Sequence, residues 1–394
     1  MASLTDSSIA PAQHARLQRL QGYLQADPSN VALLEDVSDL ALQQGQWQLA
    51  KEVLARWLAL MPGVAMARYR LAVAERAGGD AAAAQVLLAG LVAEGHQHRA
   101  VLLELARCEA QLGAWAAVLT TLESLDLAAA PLEEADVAWL LRVRAHHHLG
   151  DVAAAIASAE AWQAARGGHL PTAGLAALAT LRLDAEQVDA AEALLSMAGP
   201  DVVSQSAELS TAAGFVELSH GRAQAAEAFL SRAAGQQPAM GRAHLGLGLA
   251  AAYVGDLPRA VEALQAATAA SPSHLGSWHA LAWLQMLTQD HAGAQASLQA
   301  ALAQDANFGE THGGLALLAA MRGDRHSAEQ HLRTGTRLDP RGVNVMVARL
   351  MLEQGAQALD ARVLAPALQR FMGLAAAQSP TMQELMAQML ARRS

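Results

Sequence analysis

The sequence predicts an all-α repeat array, an elongated stack of helix–turn–helix units, and three observations predict it. Good helix formers (Ala, Leu, Gln, Glu and Arg) dominate its 394 residues, and aromatics make up only 4%. Apolar and small residues recur at i, i+3, i+4 and i+7, one face of a helix. That whole pattern returns at a period of 34 residues. A hydrophobic content of 53% supplies ample surface to bury. Much of it is Ala, which suits close helix–helix contact.

The clearest unit runs from Gly241 to His274, GRAHLGLGLAAAYVGDLPRAVEALQAATAASPSH. His244, Leu247, Gly248 and Ala251 form one face of its first helix. Gly255 can take the left-handed conformation past that helix, and Asp256 can cap the next. Pro258 sits in the first turn of the second helix, where a missing N–H costs little. Ala260, Leu264 and Ala267 make its inner face, and Ser271-Pro272 ends it. The same pattern recurs through Trp278, Leu281, Ala282, Asp290, Ala294 and Leu298, and again through His312, Leu315, Ala316, Gly323-Asp324, Ala328 and Leu332. Upstream it fits Ser210, Ala213, Gly214, Gly221, Ala226 and Leu230.

These residues resemble the tetratricopeptide repeat, whose pattern is W-x2-L-G-x2-Y, then A-x3-F, A and P. The resemblance implies a right-handed α-solenoid (superhelix) of helix–turn–helix repeats. In this register nine repeats span residues 31–342, starting near Val31, Ala65, Arg99, Asp136, Thr172, Ala207, Gly241, Leu275 and Gly309. Residues 1–30 are expected to hold an N-terminal capping helix, over residues 9–26. Residues 343–394 are expected to form a degenerate tenth repeat and C-terminal capping helices. The middle departs from the pattern. Val118 replaces a small residue, and the fifth repeat reads Ala185-Glu186-Gln187 where its inner turn calls for Gly.

In this family the first helices line the concave surface and ligands lie there. Position 9 of the last five units reads Phe215, Leu249, Trp283, Leu317 and Met351, with Tyr253, His279 and Met286 beside them. Helix packing does not require these residues to be apolar, so the row is expected to be a peptide-binding groove. Two alternatives stay open: C-terminal helices folded back into the groove, or a row that is core through a shifted register. A secondary polar groove is expected at Tyr69, Arg76, Arg107 and Arg144, where guanidinium groups could grip carboxylates or could be paired internally. The carboxylate-clamp type of repeat needs Lys and Asn, and Lys51 is the only lysine in the chain. The Asn ladder of the glycosyltransferase-associated type is absent as well.

A net charge of −10 argues against a nucleic-acid partner. There is no phosphate loop, HExxH or CxxC, so neither an enzyme nor a cofactor is expected. No metal site is expected at His146-His147-His148, since consecutive helical residues point about 100° apart. The lone Cys108 reads as a packing residue. The start, MASLTDSSIAPAQHARLQRL, lacks the basic and apolar regions of a signal peptide, and no segment is apolar enough for a membrane span. Together with the near-exclusive use of arginine, this points to a bacterial cytoplasmic protein. The function expected is a non-catalytic protein–protein interaction scaffold or chaperone-like adaptor that binds a peptide or helix in the concave groove, with assembly of a bacterial envelope, secretion or appendage system as its expected setting. The alternatives are an accessory substrate-positioning subunit of a separate glycosyl- or sulfotransferase, and a self-associating homo-oligomer.

Overall fold

A computed structural model describes residues 6–127, 130–355, 364, 369 and 370, with side chains from residue 13 onward. Every regular element among the described residues is helical. The chain divides into two compact units, Met1–Ala177 and Leu178–Ser394.

In the first unit α1 (Asp6–Ala26) precedes the pairs α2 (Val31–Gln43) and α3 (Trp47–Leu60), α4 (Ala65–Ala77) and α5 (Ala81–Ala93), α6 (Arg99–Gln111) and α7 (Trp115–Glu123), and α8 (Leu132–His148) and α9 (Val152–Ala165). The unit boundary falls inside α10 (Thr172–Asp184). The second unit continues with α11 (Val188–Ala198), the short α12 (Pro200–Gln205), α13 (Ala207–Ser219), α14 (Ala223–Gln236), α15 (Gly241–Val254), α16 (Leu257–Ala270), α17 (Leu275–Leu287), α18 (His291–Gln304), α19 (Gly309–Met321), α20 (Arg325–Leu338) and α21 (Val343–Gln354).

Local chemistry explains these boundaries. The side chains of Asn30, Asp80, Asp151, Ser206, Asp256, Asp290 and Asp324 each accept a backbone N–H from the first turn of the helix that follows. Gly255 holds φ 87°, the left-handed conformation that ends α15. Where the fifth repeat has Glu186 instead of Gly, the chain takes the same conformation, at φ 59°. Gln289 does so before Asp290, at φ 65°. Both pay the steric cost of a Cβ in that region.

Two boundaries differ from the sequence expectation. The helix expected near Asp136 begins at Leu132, because Pro131 can precede but not continue a helix. Glu133 and Glu134 then complement the positive end of its dipole. The turn before α13 holds the additional helix α12, because Gly199 at φ 82° ends α11 and Pro200 starts a new helix at once.

Each unit is held by alanine and leucine packed between helix pairs. Ala226, Ala260, Ala282, Ala294, Ala316 and Ala328 are fully buried, with Leu230, Leu264 and Leu298 beside them. A Cβ added at Gly248 would lie 2.6 Å from Cγ of Leu264 and 3.2 Å from the Ala260 carbonyl oxygen, so only Gly admits that leucine. The final helix departs from this scheme. α21 packs chiefly along α19, and a Cβ at Gly313 would stand 2.5 Å from the Val345 backbone nitrogen. The C-terminal capping helices expected beyond it lie outside the described residues.

Candidate functional site

The apolar row stands on the first helices of the second unit. Phe215 is on α13, Leu249 and Tyr253 on α15, His279, Trp283 and Met286 on α17, Leu317 on α19 and Met351 on α21. One continuous hydrophobic cluster takes in Leu249, Trp283, Met286, Leu317 and Met351, with Phe215 packed against it. The sequence expected these side chains to line an open groove. In the structure Leu249, His279, Trp283, Met286, Leu317 and Met351 are buried, and only Phe215 and Tyr253 are partly accessible. The physical reason is twofold. α21 lies close on α19 through Gly313, and Leu364, from beyond the last described helix pair, is fully buried in the same cluster.

A buried polar network joins this face, with Asn344 of α21 at its centre. The Asn344 amide donates to the Glu310 carbonyl oxygen (3.1 Å) and toward Nδ1 of His279 (3.5 Å), while its oxygen accepts the Trp283 indole N–H (3.1 Å). With Nδ1 accepting, Nε2 of His279 carries the hydrogen and meets the Thr311 hydroxyl at 3.0 Å. Burial, with the charge of Arg370 adding to it, pushes His279 down to about 4. The imidazole is therefore neutral around pH 7.

Glu310 of α19 caps α21 from a neighbouring helix. Gly342 has no side chain to cap with, so the Val343 and Asn344 amides donate instead to the two Glu310 carboxyl oxygens, at 2.7 and 2.8 Å. The Nε of Arg370 lies 3.2 Å from the same carboxylate. Burial pushes the Glu310 carboxyl up, against those amides and Arg370, which pull it down. Beside Arg370 opens a cleft of about 560 Å³, lined by Glu186, His279, Phe308 and Val343. Asn344, Thr311, Glu310, Leu364 and Arg370 were not singled out by sequence reasoning. The one available signal was a set of polar residues inside otherwise apolar helix patterns.

The polar groove of the first unit is largely self-satisfied. Arg76 is hydrogen-bonded to Glu104, and Arg107 lies 3.4 Å from the other oxygen of that buried carboxylate. Arg70 faces Glu35 and Asp39 at 3.5 and 3.7 Å. Tyr69 is half-buried, and burial with the Glu104 charge pushes its phenol up. Arg144 is exposed.

Other chemistry-bearing groups are structural in their surroundings. His148 stacks flat on Trp115, with ring centroids 4.0 Å apart, and burial pushes it down. The thiol of Cys108 is buried and pushed up to about 11, far from a reactive thiolate. Asp189, Glu192 and His220 converge on the surface. There Nδ1 of His220 accepts from Arg222 at 2.7 Å, which leaves the hydrogen on Nε2, the atom facing Glu192. Among the described residues, no helix is long and apolar enough to cross a membrane.

No family model and no curated protein matches the chain. Solved structures do. A human IFIT1 dimer with m7Gppp-AAAA is 13% identical with a TM-score of 0.57, covering 92% of this chain and 90% of that one. The human IFIT1 dimer with PPP-AAAA is 12% identical, also at 0.57, over 96% and 94%. A tetratricopeptide repeat protein from Parabacteroides merdae is 15% identical over 59% of this chain and 90% of that one, at 0.48. These likenesses concern the fold alone. Among the described residues the chain is all-helical, built of helix–turn–helix pairs, a fold like that of these solved structures.

Proposed function

We propose that this tetratricopeptide-type solenoid is a non-catalytic interaction scaffold that receives a peptide or helix of a partner protein on the first-helix face of its second unit. One observation carries the reading. Leu249, Trp283, Leu317 and Met351, on successive first helices, join a single apolar cluster that already takes in a residue, Leu364, from outside the regular helix pairs. Packing of first on second helices does not call for that row, whereas reception of an apolar segment does. A protein partner also fits the charge better than RNA. The chain carries −10 overall, and Arg76 and Arg107 are already paired with Glu104, whereas phosphates need available cations.

The test is site-specific photo-crosslinking in the full chain. Crosslinkers at the partly accessible Phe215 and Tyr253 are expected to capture the partner. Crosslinkers at Val86 and Met197, which are 73% and 65% exposed elsewhere, are expected not to. Equal capture from all four positions would sink the assignment. Capture of a second copy of the chain would turn it into self-association.

A further inference from the structure

Two histidines of the second unit meet across one helix pair. His312, in the first turn of α19, and His331, midway along α20, bring their Nδ1 atoms to 3.3 Å, with ring centroids 5.6 Å apart. Nε2 of His312 lies 3.0 Å from the Ala306 carbonyl oxygen, which can only accept. That nitrogen therefore carries the hydrogen, and Nδ1 presents a bare lone pair. The two preceding repeats make the same contact with the turn before the helix. Nε2 of His244 meets the Pro238 carbonyl at 2.8 Å, and the Trp278 indole, which can only donate, meets the Pro272 carbonyl at 2.8 Å. A backbone anchor thus holds the His312 ring with its lone pair toward His331.

Repeat packing does not call for a ring at His331. One repeat upstream the equivalent position holds Ser297, and one before that Ala263. Burial, with the neighbouring His312 adding to it, pushes His331 down, so its ring is neutral around pH 7. The contact between the two Nδ1 atoms has room for one hydrogen, which His331 donates. Two imidazole nitrogens on a tetrahedral zinc ion, each at about 2.0–2.1 Å, stand about 3.3–3.4 Å apart. The Nδ1 separation matches that span. A backbone carbonyl on the far nitrogen, as at His312, is also what fixes the tautomer of a ligating imidazole. Among the described residues no third His, Cys, Asp or Glu converges with the pair, which leaves the other positions to water. Both rings are partly exposed, and His331 lines an open cleft of about 340 Å³, which gives an ion access.

We infer that His312 and His331 form a zinc site, in which the two Nδ1 lone pairs hold the ion in place of the hydrogen they share, and that hydrogen moves to Nε2 of His331. An ion there pins α20 to the first turn of α19, which also carries Glu310, the cap of α21. The surface cluster of Asp189, Glu192 and His220 is the rival site. All three of its side chains are exposed, and its histidine turns a hydrogen-bearing Nε2 toward Glu192.

The test titrates Zn2+ into the metal-stripped full chain at pH 7 by calorimetry, with diethyl pyrocarbonate labelling of histidines mapped by mass spectrometry. Wild type is expected to show saturable binding of one ion per chain. Bound zinc is expected to shield His312 and His331 from labelling, while His326, exposed on the same helix as His331, reacts as before. His312→Gln and His331→Gln are each expected to weaken binding by about tenfold or more. His326→Gln and His220→Gln are expected to leave it unchanged. Labelling is read on the wild type, so it decides the matter even where a variant loses stability. No saturable binding, binding that disappears in His220→Gln, or shielding of His220 in place of the pair overturns the inference.

Discussion

Replacing Gly313 by alanine tests the unusual docking of the last described helix. A Cβ there would stand 2.5 Å from the Val345 backbone nitrogen and 2.8 Å from both the carbonyl carbon and Cβ of Asn344. These atoms belong to helix backbone or sit directly on it, so no side-chain rotation relieves the clash. α21 must retreat by roughly 1 Å to restore ordinary contact distances. A shift of that size stretches the Asn344 bonds to Trp283 and to the Glu310 carbonyl, both 3.1 Å, out of hydrogen-bond range. Overpacking costs about 1–3 kcal/mol and each lost buried bond about 1 kcal/mol. The better helix propensity of alanine returns about 1 kcal/mol. The expected net loss is about 2–4 kcal/mol, concentrated in α19 and α21. Gly90→Ala is the control, since a Cβ there meets nothing within 4 Å and should stabilise by about 0.5–1 kcal/mol. Repeat arrays open locally, so hydrogen exchange of the α17–α21 amides is the assay, with urea unfolding alongside. Unchanged α21 protection in Gly313→Ala, or a stability equal to that of Gly90→Ala, would refute the close-docking argument.

Three further outcomes follow from the same structure. Ala260→Leu, at a fully buried position against Gly248 and Leu264, should cost about 1–3 kcal/mol by overpacking, read as a lowered melting midpoint; an unchanged midpoint removes the helix-pair register. Glu186→Gly should stabilise by about 0.5–1 kcal/mol in denaturant titration, because Gly relieves the cost of a Cβ at φ 59°; a loss of stability would mean that the Glu186 side chain contributes more than its strain. His279 is held near 4, below its ordinary 6.5, so protonation favours the unfolded chain. Its contribution is fully present above pH 6.5 and is lost as pH falls toward 4, on the order of 3 kcal/mol in all. Glu310, raised by burial, works in the opposite direction, so the readout is the difference between wild type and His279→Gln, in which the Glu310 contribution cancels. Parallel stability–pH curves for the two proteins would show that His279 does not carry the effect.

Helix phase and helix ends were legible in the sequence because short-range chemistry decides them. Asp256 caps α16 through an N–H three residues away, and Gly255 ends α15 within its own turn. Alternation of Gly248 with Ala260 and Leu264 likewise announces a close helix pair, since only small residues allow the approach. The 34-residue period places the start of α8 near Asp136, whereas Pro131 with Glu133 and Glu134 sets it at Leu132. The candidate site was legible only as a set of residue types. An apolar residue at the ninth position of a first helix reads the same whether it faces a groove or a covering segment. Tertiary structure sets the burial of these side chains, through contacts that no local pattern encodes. Trp283 meets Asn344 across 61 residues of sequence, Glu310 caps a helix 33 residues downstream, and Leu364 is buried in the same apolar cluster as the row. Burial of Trp283, Leu317 and Met351 depends on how α21 leans on α19, a global packing choice made possible by a missing Cβ at Gly313.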